Sequence, residues 1–171
     1  MLQRCIFFLA VLSVLSCKKD ADIDPVNIQG KWNVDSAESK IEYNSSSPDN
    51  TNIDLSSEGL YFDFKSDGTY STNAELGIGN ISTGEQINTD TYSIEGNRLK
   101  IAFVETDLKI PIILLFDIEL NGTNLNLKMD RNDLLDSYEE IGGKLDIVSK
   151  SIFQLLLSEV IKIEYTIQLS Q

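Results

Sequence analysis

Few side chains in this sequence can do chemistry, and the most reactive of them is Cys17. An ionised thiol is a strong nucleophile, and Cys17 directly follows the small residue Ser16 at the end of an apolar run from Cys5 to Leu15. Cys5 is the other of the two cysteines, and histidine is absent. Without histidine there is no imidazole general base, no Ser-His-Asp or Cys-His nucleophile and no histidine-containing zinc site. Carboxylates remain: 27 Asp and Glu stand against 14 Lys and Arg, for a formal net charge of -13. Asp63 and Asp67 bracket a hairpin turn, and Glu139 with Glu140 falls on a solvated helix face. Neither pair shows the cleft and shifted pKa values that carboxylate catalysis needs. Asp63, Asp67 and Gly68 lack EF-hand spacing and a terminating Glu. Asp20, Asp22 and Asp24 alternate in a charged stretch, where carboxylates stay hydrated. The expectation is no enzyme, no metal ion and no cofactor. An acidic chain also lacks the basic footprint of a nucleic-acid binder.

The segments around Cys17 read as an address. Arg4 supplies one positive charge, and Cys5–Leu15 (CIFFLAVLSVL) is well short of the roughly 20 apolar residues of a membrane-spanning helix. It fits the apolar core of a signal peptide. Val14-Leu15-Ser16-Cys17 resembles the bacterial lipobox, in which the cysteine receives diacylglycerol, is freed by cleavage and is acylated on its amino group. Val14 is a mild departure from that pattern, and an ordinary secretory signal is the alternative. The resemblance implies a lipoprotein signal peptide over 1–16, cleavage between Ser16 and Cys17, and acyl chains of the palmitate type on Cys17. It makes a membrane the partner, reached through that lipid. Two or more acyl chains hold a protein stably where one does not. Residues 17–27 then form a charged tether. Lys18-Lys19-Asp20-Ala21-Asp22 partly resembles the signal that sends lipoproteins of Bacteroidota to the outer face of the outer membrane, and a plain solvated linker explains it equally well. The implied location is the cell outer membrane, on its periplasmic face or at the cell surface. With Cys5 removed and Cys17 blocked, no disulfide remains, and the domain rests on packing alone.

Residues 28–171 read as short strands and tight turns. Leu60, Phe62 and Phe64 alternate with Tyr61, Asp63 and Lys65, and Ser66-Asp67-Gly68 turns the chain into Thr69–Thr72. A second hairpin turns at Gly96-Asn97, and a third at Asn121-Gly122, a pair suited to the positive φ angles of a type I′ turn. The polar run Asn44–Asn52 and the segment Leu76–Ile81 read as exposed loops. Ile110–Phe116 is apolar throughout, as in a strand with one face in the core and the other covered. Leu134, Tyr138, Ile141, Leu145, Val148, Ile152 and Leu155 recur at helical spacing, and Gly142-Gly143 divides the stripe. This helical segment, about 132–158, precedes the last strand and is expected to lie as a lid on the sheet. In that strand Ile161, Ile163, Tyr165, Ile167 and Leu169 share one face. The fold class is all-β, an antiparallel β-barrel or sandwich.

Gly30-Lys31-Trp32 on the first strand, about eight antiparallel strands and a helix before the last strand resemble the lipocalin plan. The chain is more specifically similar to bacterial lipocalin-like lipoproteins. Phe64-Lys65-Ser66-Asp67-Gly68-Thr69-Tyr70, Tyr92-Ser93-Ile94-Glu95-Gly96 and Asn124-Leu125-Asn126-Leu127 carry that likeness, from about Ile28 to Met129. It implies a lipocalin-like barrel whose floor is bent at Gly30 and closed by Trp32. A Thr-Asp-Tyr motif and an arginine near the C-terminus are missing from the pattern; the nearest arginine, Arg131, precedes the helix. A barrel of this size is either filled by side chains or holds one small ligand. Phe62, Phe64, Ile101, Phe103 and Tyr165 are the candidate pocket residues for a small hydrophobic ligand, and plain core is the other use of such positions. The alternative function is a surface-displayed interaction or inhibitor module with a filled barrel, built on exposed loops or an apolar patch.

Overall fold

The computed structural model describes residues 23–104 and 111–171, without the side chains of 26 and 85–89. The signal segment 1–16, the lipidation residue Cys17 and the tether as far as residue 22 lie outside the described residues. A 3₁₀ turn, Pro25–Ile28, leads into nine strands and two helices: β1 (Gly30–Tyr43), β2 (Asp49–Asp54), β3 (Tyr61–Phe64), β4 (Thr69–Gly77), β5 (Asn80–Glu95), β6 (Arg98–Val104), β7 (Pro111–Asn121), β8 (Asn124–Asp130), α1 (Arg131–Ile141), α2 (Ile147–Glu159) and β9 (Val160–Ser170).

The expected barrel is present. Strands β1, β3, β4, β5, β6, β7, β8 and β9 pair in that order, and β9 closes back on β1, all antiparallel. Closure leaves none of these strands as a free sheet edge. The ninth strand, β2, pairs with Ser36–Ile41 on the side of β1 where β3 pairs with Gly30–Asn33. β2 and β3 are thus two pieces of one wall, interrupted at the buried Leu55 and Leu60. Part of the polar run read as a loop is therefore strand. Its backbone pairs while its side chains point largely to solvent, so it shows no apolar alternation.

Two bulges set which residues face inward. Val34 pairs with Leu169 and Ser36 with Gln168, so Asp35 is the extra residue. Inward positions on β1 consequently change from Trp32 and Val34 to Ala37, Ser39 and Ile41. On β9, Glu42 pairs with Lys162 and Tyr43 with Val160, leaving Ile161 over. The bulge turns Val160 inward and Ile161 outward, so the expected face holds from Ile163 to Leu169 but not at Ile161.

The helical segment is two helices. Asp130 caps α1, accepting from the Asn132 and Asp133 N–H groups, and Asp133 reciprocates to the Asp130 N–H in a capping box. Asp146 caps α2. β8 is shorter than β7, so β7 above Asp117 has β6 on one side and no strand on the other. Helix α1 occupies that side. The Leu115 N–H donates to Ser137 Oγ, and Arg98 Nη2 bridges β6 to Asp133 (2.6 Å) and Asp136 (2.8 Å) on the helix. Ile113 and Leu115 on the outer face of β7 pack with Ile141 and Leu145, while Leu114 and Phe116 enter the barrel core. This is the two-sided burial expected of the apolar run. Helix α2 departs from the lid reading: Leu157 and Ser149 are buried, while Ile147, Val148, Ile152 and Leu155 are exposed.

Candidate functional site

The two ends of the barrel are built differently. One end carries the turns at 65–68, 96–97 and 122–123, where Gly68, Gly96 and Gly122 all have positive φ. The 3₁₀ turn closes this end. Trp32 is fully buried there, and its Nε1–H donates to the Ile28 carbonyl at 2.7 Å. Gly30 has φ +112, a conformation that side chains on Cα rarely permit, so the sharp start of β1 needs glycine. The interior above this floor is solid. Phe62, Phe64, Tyr70, Leu99, Ile101, Phe116, Leu125 and Leu127 are all buried to 1 % exposure or less. Phe64 meets Phe62 at 6.0 Å and Tyr92 edge-on at 4.9 Å between ring centroids.

The other end is the mouth, and a hairpin covers it. β4 and β5 pair as a base (Thr69–Thr72 with Asn88–Thr91) and as a tip (Ala74–Gly77 with Asn80–Thr83). One residue separates the two blocks on β4 and four separate them on β5, so the tip is offset from the wall below it. It bends across the mouth until a Cβ on Gly79 would stand 2.8 Å from Ile41 Cδ1 and 3.5 Å from Ile163 Cδ1 on the far wall.

A cavity lies on each side of that tip. One, of about 190 Å³, is walled by Leu76, Phe103, Ile112, Leu114, Leu134 and Tyr138, with Ser137 as its polar side chain of note. The other, of about 260 Å³, is walled by Ser39, Ile41, Thr51, Ile53 and Tyr165, with Asp49 at its exposed rim. Ile78, at the hairpin tip, lines both. The first cavity is apolar and the second is rich in hydroxyls. Tyr165 is 1 % exposed, and its hydroxyl has no hydrogen-bond partner among the described residues. Burial pushes its phenol well above the ordinary tyrosine range, so it is a neutral donor at any physiological pH. Among the described residues no Lys or Arg lines either cavity, and no group of three His, Cys, Asp or Glu side chains is placed to hold a metal ion.

The candidate pocket residues divide by height in the barrel. Phe62, Phe64 and Ile101 belong to the solid lower core. Phe103 lines the apolar cavity and Tyr165 the hydroxyl-rich one. Ser39, Thr51 and Ile78 join the site without having been singled out. The alternation of Ala37, Ser39, Ile41 and Tyr43 with Glu38, Lys40 and Glu42 is the sequence signal that places Ser39 inside. Ile78 gives no such signal, because a tip that folds back reads as an exposed loop. The Leu76–Ile81 segment is that tip, and Ile81 is buried.

Compared with known families, residues 28–127 match the family model described as a lipocalin-like domain. No significant match is found among curated proteins or among solved structures.

Proposed function

The chain belongs to the lipocalin-like domain family, and on that premise we propose that it is a binding protein, not an enzyme, that takes a small hydrophobic ligand at the barrel mouth. The observation that carries this reading is the pair of cavities on either side of the β4–β5 tip, above a lower core of fully buried side chains. Concave, largely apolar sites with a few placed polar groups are where small molecules bind. Native mass spectrometry of the purified protein tests it. A mass shift that denaturation removes is expected, and a clean spectrum after exposure to a lipid extract would count against it.

The proposal extends to location. The lipobox-like Val14–Cys17 supports a lipid anchor on Cys17 and residence at the cell outer membrane. A Cys17→Ala variant should take up no labelled palmitate and leave the membrane fraction; unchanged partitioning would end the anchor proposal. A second reading, an interaction module, is favoured by helix α2, where Ile147, Val148, Ile152 and Leu155 are each more than half exposed. Contiguous exposed apolar surface marks interaction sites in soluble domains.

A further inference from the structure

Each cavity is small for a ligand site, which usually has at least about 300 Å³. They are not independent, however. The same side chain, Ile78, walls both, and the structure between them is a hairpin tip rather than barrel wall. Their linings differ in a complementary way. One offers carbon atoms from Phe103, Leu114 and Tyr138, and the other offers the hydroxyl-bearing side chains Ser39, Thr51 and Tyr165. The Tyr165 hydroxyl is buried and unpartnered among the described residues. Buried hydroxyls are nearly always paired, because leaving one unpaired is unfavourable.

We infer that the two cavities are the two ends of one site for an uncharged amphiphile, its apolar end against Phe103 and Leu114 and its hydrogen-bond acceptor on the Tyr165 hydroxyl. This rests on the ligand-binding reading above and names the ligand class. The head is uncharged because, among the described residues, nothing lining either cavity neutralises an anion, and Asp49 at the rim repels one. Among the described residues a cation would meet only Asp49, which is exposed and therefore screened. The tail is short, because the apolar end is only about 190 Å³ and is bounded by Leu114 of the barrel and by Ile141 and Phe153 of the helices. The tip must lift for such a molecule to lie beneath Ile78. Its offset from the base of the hairpin gives it a place to bend.

The test is binding of 1-octanol, 1-fluorooctane, octanoate and octylammonium to the purified protein, followed by ligand-observed NMR. Wild-type protein should bind 1-octanol about three- to tenfold more tightly than 1-fluorooctane, the worth of one hydrogen bond. It should bind both ions more weakly than the alcohol. Tyr165→Phe should erase the preference for the alcohol while retaining 1-fluorooctane, and Phe103→Trp should weaken all four probes by filling the apolar end. If the alcohol binds but Tyr165→Phe changes nothing, or if octanoate or octylammonium binds best, the assignment of the head is overturned and the ligand-binding reading survives. If none of the probes binds, both are overturned. Should Tyr165→Phe fail to fold, the wild-type preference between 1-octanol and 1-fluorooctane decides the same point.

Discussion

The backbone N–H of Leu115 donates to Ser137 Oγ at 3.0 Å, and Ser137 Oγ–H donates in turn to the Asp133 carbonyl at 2.6 Å. A strand thus takes its missing partner from a helix. The barrel wall is completed by one serine where β8 has ended. Ser137→Ala should cost about 1–3 kcal/mol, because it leaves a buried N–H unpaired. Denaturant unfolding measures the loss, and hydrogen exchange should show the Leu115 amide losing protection ahead of its neighbours on β7.

Gly79 carries a second constraint. Its φ is +70, and an added Cβ would meet Ile41 Cδ1 at 2.8 Å. Gly79→Ala should lower stability by about 1–2 kcal/mol from the backbone conformation alone. Pairing it with Ile41→Val, which removes the contacted methyl, should recover only the steric part. A double variant as stable as Ile41→Val alone would show that the backbone angle is not the constraint.

Alkaline pH should report on the interior. Of the six tyrosines, Tyr70 and Tyr165 are held well above the usual range by burial, with the nearby Asp90 charge adding to the effect at Tyr70. In the unfolded chain both ionise near pH 10. The folded state therefore favours their neutral forms, and stability is full below about pH 10 and falls as pH rises past it. An ultraviolet titration should show these two phenolates appearing only with loss of the fold. Smooth ionisation of all six in native protein would contradict the burial described.

Helix α2 separates packing from display. Leu157 is 8 % exposed and Leu155 66 %. Leu157→Ala should cost about 2–3 kcal/mol, whereas Leu155→Lys should stay within about 0.5 kcal/mol of wild type. If the exposed face mediates association, sedimentation velocity should show Leu155→Lys shifting the protein towards monomer.

Much of the barrel was legible because hairpins announce themselves locally. Asp67-Gly68 and Gly96-Asn97 each sit between alternating strands and fall in turns of the fold, while the third turn is Gly122-Thr123, one residue past the expected pair, because Asn121 still pairs with Asn124. What was not legible depends on register. A bulge at residue 161 reverses one side chain, and no pattern within β9 reveals it, since the mismatch arises against β1. β2 is held mainly by backbone pairing, with Thr51 and Ile53 its half-buried side chains. For the site, alternation separates inside from outside but not floor from mouth. Phe62 and Phe103 look alike in sequence, and only strand pairing shows that one belongs to the packed base and the other to a cavity.

The described chain begins at the closed end of the barrel, where the Ile23 N–H donates to the Gly96 carbonyl and Ile28 sits over Trp32. Residues 17–22, fully extended, reach about 20 Å. A lipid on Cys17, as proposed, would therefore moor the molecule by its sealed pole and turn the mouth away from the bilayer that holds it. Such a vessel fills and empties from the aqueous side. Its cargo would be exchanged with what approaches from outside, not drawn from the leaflet beneath.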